Sequence, residues 1–198
     1  MQYTNPDLIS HAYKLVSKKW ILAIVAVILV GLISNLGSAI DEKLAILNIF
    51  LSGALAVGSA TFFLKIVRGQ EERIEDIFEG FKTNYVATLV ATIVSLIVVM
   101  LGFIALIIPG VILGLGLSQT YYILAEDKEI SGIDAMKKSW EMMDGWKMKY
   151  FLLCLLYFGM GILGLLALVV GLLFVIPIIS TSNALFYEKL KTGQLKQP

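Results

Sequence analysis

The sequence predicts an all-α integral membrane protein: six transmembrane helices in three hairpin repeats, each repeat preceded by a cytoplasmic amphipathic helix. Three observations predict it. Of 198 residues, 58% are hydrophobic and 16% charged, with a mean hydropathy of +0.85. A water-soluble domain carries about 25% charged residues, so this chain lacks the polar surface to cover itself in water. The second observation is long uncharged runs, such as the stretch from Tyr85 to Ala125. One helix of that length would reach about 60 Å, twice the hydrocarbon thickness of a bilayer, so the run must fold back. The third is a recurrence at an offset of 65 residues. Gly80-Phe81-Lys82-Thr83-Asn84-Tyr85 falls on Gly145-Trp146-Lys147-Met148-Lys149-Tyr150, and Tyr121-Tyr122 on Phe186-Tyr187. Fainter echoes join Thr61-Phe62-Phe63 to Thr120-Tyr121-Tyr122, and Ala12 to Val16 with Ser139 to Met143. Three matches in one order mark a repeat.

The chain is read as one membrane domain, with repeats at 5–68, 69–127 and 128–191 and a loose tail at 192–198. Asn5-Pro6-Asp7 reads as a helix start, with a capping side chain, an early proline and a first-turn acid. Leu8, Ala12, Leu15, Val16 and Trp20 recur at helical spacing between polar residues, which makes the segment amphipathic and too polar to span. Ile21 to Leu36 is the first span. Gly37-Ser38-Ala39 offers small residues for a cleavage site, but the long polar start favours a retained segment. Asp41-Glu42-Lys43 forms a loop, and Leu44 to Leu64 the second span, with Gly53, Ala54, Ala56, Gly58 and Ala60 suited to close helix contact.

In the second repeat Ile74, Ile77, Phe78 and Phe81 form one apolar helix face, and Glu71, Glu72, Glu75, Asp76 and Glu79 cover the rest. Those acids read as a solvated face rather than a metal site. Pro109-Gly110 is the expected break of the following double span. In the third repeat Ser131 and Asp134 resemble a capping box, and Ile133, Met136, Trp140 and Met143 form the expected buried stripe. Gly159, Gly161 and Gly164 suit close packing. The hairpin turn is expected between Gly164 and Gly171, with Pro177 a possible kink in the second arm.

Only Lys43, of sixteen lysines and arginines, falls on the far side of this layout. The positive-inside rule therefore puts both termini and all three amphipathic helices in the cytoplasm. Trp20, Phe81, Tyr85, Trp140, Trp146, Tyr150 and Tyr187 read as interface anchors.

The chemistry is sparse. A net charge of +1 gives no argument for nucleic acid. Cys154 reads as a packing residue, and His11 as a solvated or interfacial side chain rather than a ligand. No catalytic residue, metal site or cofactor is expected. No ionisable side chain lies inside an expected span, which argues against an ion pump. Uncharged polar residues do gather at the cytoplasmic ends of the second, fourth and sixth spans: Ser59 and Thr61; Ser118, Gln119 and Thr120; Thr181, Ser182 and Asn183. They either line a cytoplasm-facing cavity between repeats or bond helix to helix, and the second reading is preferred. The amphipathic helices either brace the bundle against membrane lipids or dock a protein partner.

The segment from Ala135 to Leu190, with Lys138-Ser139-Trp140-Glu141-Met142-Met143, its glycine-rich apolar run, Pro177 and Phe186-Tyr187, resembles a family of small bacterial integral membrane proteins of unknown function. Ala12-Tyr13-Lys14-Leu15 fits that family's opening helix. Related repeats resemble the membrane portion of some glycerophosphodiester phosphodiesterases. The resemblance implies a multi-pass protein of the bacterial plasma membrane and carries no activity. A non-enzymatic structural or accessory role is expected, assisting another membrane or secretion component. A passive carrier or lipid conduit is the alternative.

Overall fold

The structure, a computed structural model, describes residues 2–35, 45–82, 84–167 and 170–196, without the side chains of 45–47. The described chain is almost wholly helical. Helix α1 (Asn5–Val16) is followed by α2 (Trp20–Ser34) and α3 (Ala45–Arg68). A 3-10 helix (Ile74–Phe78) runs into the short α4 (Glu79–Lys82). Then come α5 (Tyr85–Ala105), α6 (Ile107–Gly116), α7 (Thr120–Glu126), α8 (Gly132–Met142), α9 (Lys147–Leu166) and α10 (Leu172–Lys191). One isolated parallel bridge joins Tyr3 to Leu195.

Among the described residues four stretches are long and apolar enough to cross a membrane: Asn48–Arg68, Tyr85–Ala105, Ile107–Glu126 and Lys147–Leu166. A fifth is added if α1 and α2, bent by 103° at their junction, count as one span. By itself α2 has 15 residues, short of the roughly 20 a span needs. In α10, Ser180 to Asn183 and the charges after Tyr187 dilute an otherwise sufficient length. The expected Asp41-Glu42-Lys43 loop, the start of the second span at Leu44, Lys43 itself and Gly37-Ser38-Ala39 lie outside the described residues.

Several local expectations move. The first cap is Thr4 rather than Asn5: its hydroxyl accepts from the Asp7 N–H, and its own N–H donates 2.9 Å to the Asp7 carboxylate. Asn5 is thereby freed to donate 3.0 Å to the Lys149 carbonyl. The hairpin of α5 and α6 turns at Leu106, which is extended at φ −167° and ψ 153°. Pro109 instead occupies the first turn of α6, where a missing N–H forfeits no helical bond. Helix α9 ends at Leu166 and α10 begins at Leu172, with residues 168–169 of the expected turn outside the described residues, and Pro177 lies within α10.

Packing centres on α3, which touches α2, α5, α7, α10 and the 3-10 helix with α4. Two glycines set the closest of these approaches. A Cβ on Gly58 would overlap the Ile77 carbonyl, and one on Gly80 would overlap the Ala54 carbonyl. That close docking of backbone on backbone bends the second amphipathic segment into a 3-10 turn instead of one continuous helix. Helix α1 likewise lies on α10, and α8 on α5 and α7. The buried face of α8 is Gly132, Ala135, Met136 and Ser139, with Met143 beyond its end. Ile133 and Trp140, expected in that stripe, are 39% and 38% exposed. Gly132, Ala135 and Ser139 let α8 approach α5 and α7 closely, with Met136 and Met143 buried beside them, while Ile133 and Trp140 are left on the rim.

Candidate functional site

At one end of the bundle the last residues of α3, α7 and α10 meet in an ionic knot. The Arg68 guanidinium pairs with Glu126 and, at 2.8 Å, with Glu188. Lys191 Nζ donates to both Glu126 oxygens at 3.0 and 2.9 Å. The Tyr187 hydroxyl donates 2.6 Å to Glu126, and its ring stacks on Tyr122 at 5.3 Å. Tyr187 is thus a core residue, not an interface anchor. Tyr150 is likewise buried, its hydroxyl donating 3.1 Å to Asn183 Oδ1. Both have a hydroxyl partner inside the protein, so neither needs the headgroup layer. Trp20, Phe81, Tyr85 and Trp146 are half-buried and Trp140 is exposed.

The acids of the second amphipathic segment divide into two sets. Glu71 meets Arg73 on the surface, whereas Glu72 and Asp76 are buried and pair with Lys19 and Lys65, each at 2.7 Å. Glu79 meets Lys128 at 2.8 Å. Burial of Glu72 and Asp76 corrects the solvated-face expectation, since a buried carboxylate requires the cation each one has found. Among the described residues no three His, Cys, Asp or Glu side chains are placed to hold a metal.

Most of the uncharged polar candidates bond to their own helix or its neighbour. Thr61 donates to the Val57 carbonyl, Ser118 to Leu115, Thr120 to Leu117 and Thr181 to Pro177. Gln119 is fully buried and donates 2.8 Å to Ser118 Oγ, and Asn183 accepts from Tyr150. Among the described residues Oε1 of Gln119 and Oγ of Ser182 make no hydrogen bond of ordinary geometry. Ser59 and Thr61 face two different cavities.

Ser139 and Lys149, read in the sequence only as parts of longer motifs, do much of the joining. Ser139 donates 2.8 Å to the Gly116 carbonyl and accepts 3.1 Å from the Gln119 N–H, pinning α8 to the bend between α6 and α7. Lys149 is buried and donates to the carbonyls of Tyr3 (2.8 Å) and Lys196, clasping both ends of the described chain. A signal for the knot existed, because Glu126 and Lys191 are separated by the repeat offset of 65.

The carboxylates in the first turns of α1 and α8 are set by their caps. The Thr4 hydroxyl and N–H hold Asp7 below its ordinary carboxylate value, and the Ser131 hydroxyl does the same for Asp134. His11, stacked on Tyr3 at 5.7 Å, is pushed down by burial and then by Lys189 and Lys14, so it favours the neutral form.

Two apolar recesses flank the bundle. One, of about 340 Å3, lies between α5, α6 and α8 and is lined by Val94, Val98, Leu113, Ile133 and Trp140, with Lys137 and Glu141 at its rim. The other, of about 280 Å3, lies between α2, α3 and α10.

A family described as "Protein of unknown function (DUF975)" matches residues 92–194, just over half of the chain and from mid α5 to beyond α10. The chain belongs to this family. No curated protein and no solved structure matches it.

Proposed function

We propose that this DUF975 protein is a six-span accessory protein of the bacterial plasma membrane, non-enzymatic, with both termini cytoplasmic. Three hairpin repeats would close into a ring. Each amphipathic segment packs on the last helix of the repeat before it: the 3-10 helix with α4 on α3, α8 on α7, and α1 on α10. Repeat-related Tyr122 and Tyr187 stack, and repeat-related Glu126 and Lys191 pair, as equivalents do when they converge on an axis.

The observation that carries the accessory reading is the recess on α8. Its apolar lining, with exposed Ile133 and Trp140 beside Lys137 and Glu141, is the anatomy of a helix-docking groove: an apolar centre with a charged rim. The fitting occupant is an amphipathic helix of another membrane component, with acidic and basic residues flanking its apolar face. A photo-crosslinking amino acid at Ile133 in living cells tests this. The expected product is one discrete adduct with a single membrane protein, reduced at least fivefold by Trp140→Glu. Adducts with lipid alone, or none, would overturn the reading.

A further inference from the structure

The recess between α2, α3 and α10 differs in kind from the groove on α8. It is lined by Ala26, Val27, Val30 and Gly31 of α2, by Ser59, Phe62 and Phe63 of α3, by Ile176 and Ser180 of α10, and by Ile77. Two hydroxyl groups, Ser59 and Ser180, stand in an otherwise apolar lining. A serine inside an apolar helix usually returns its hydroxyl to a carbonyl one turn back, as Thr61 and Thr181 do beside them. Ser59 and Ser180 carry no such bond among the described residues. The lining thus keeps two donors unspent, and the mouth is open at Gly31, where an added Cβ would meet no atom within 4 Å.

Depth and size narrow the occupant. Ser59 is nine residues from Arg68 along α3, about 13 Å at the helical rise, and Ser180 lies somewhat further from Lys191. A charged headgroup at that depth would leave water without a counter-ion in the lining, so the ligand's polar group is neutral. A volume of about 280 Å3 falls at the small end of ligand pockets and takes one hydrocarbon chain, not a two-chained lipid.

We propose that this cavity binds a neutral single-chain lipid whose hydroxyl or carbonyl oxygen accepts from Ser59 and Ser180. The proposal rests on the membrane reading but not on the accessory role. The test uses the full chain in nanodiscs with three diazirine probes of equal length: a long-chain alcohol, the matching alkane and the matching fatty acid. The alcohol is expected to label the peptides bearing Ala26 to Gly31 and Phe62-Phe63 several-fold above α5 and α9. Gly31→Leu, whose Cβ meets no atom within 4 Å, should cut that labelling at least fivefold while the thermal midpoint holds. The pair Ser59→Ala and Ser180→Ala should lower the alcohol's yield to the alkane's and leave the alkane's unchanged. Equal labelling of all helices, or of Gly31→Leu, would overturn the site. Stronger labelling by the fatty acid would overturn the neutral ligand. Labelling of α5 and α9 by the alkane reports insertion in the bilayer, so a failure of the membrane reading shows separately.

Discussion

Helices α3 and α9 are alike on paper and opposite in place. Both are apolar, glycine-bearing and long enough to span, yet 56% of the span in α3 is buried inside the protein against 28% in α9. The glycines carry the difference. Gly58 of α3 lies against the Ile77 backbone, whereas nothing comes within 4 Å of a Cβ placed on Gly159 or Gly161 of α9. The glycine run of α9 therefore packs no partner among the described residues, contrary to expectation, and only Gly164 at its end approaches another helix. Hydropathy separates lipid from water. It does not separate the centre of a bundle from its rim, because lipid and protein interior are equally apolar.

The comparison breaks most sharply at Gly58. Gly58→Leu forces apart two backbones that cannot repack around it, and should cost about 3 kcal/mol or more, seen as loss of the monodisperse peak and of the thermal transition in detergent. Next comes the polar end of α3. Glu126→Gln leaves Arg68 and Lys191 half-satisfied in the knot and should cost about 2 kcal/mol. Combined with Lys191→Gln, it should cost less than the sum of the two single changes, since they share one network. Additivity there would remove the knot from the account of stability. The smallest effect belongs to α9. Gly159→Ala should stabilise by about 0.5–1 kcal/mol, because a helix gains from the methyl and nothing stands in its way. A destabilised Gly159→Ala would place a neighbour on that face.

What could be read in advance follows the same division. The apolar runs and the 65-residue recurrence are local in sequence, and α1, α5 and α9 stand where helices were expected, as does α8 within the segment from Glu126 to Lys149. Features that depend on a neighbour were hidden. The 3-10 turn exists because Gly58 and Gly80 let Ile77 and Ala54 approach, and a helical pattern of Ile74, Ile77, Phe78 and Phe81 carries no trace of that contact. The inward face of α8 is chosen by Ser139, which reaches Gly116 across 23 positions. Glu72 and Asp76 read as solvated because Lys19 and Lys65 lie far off in sequence or on another helix. The polar residues near Gln119 and Asn183 were legible as a group, but their partners were not.

The seating of α1 on α10 sets an order on how the molecule is made. Leu8 and Leu185 share one apolar cluster, yet about 175 residues of translation separate the end of the first helix from the end of the last. At ribosomal speeds of about 5–20 residues per second, α1 waits roughly ten to thirty-five seconds for α10. Until then Leu8 lacks the cover that Leu185 and Phe186 give it. The contact between α1 and α10, which joins the two most distant helices of the described chain, is therefore among the last to form.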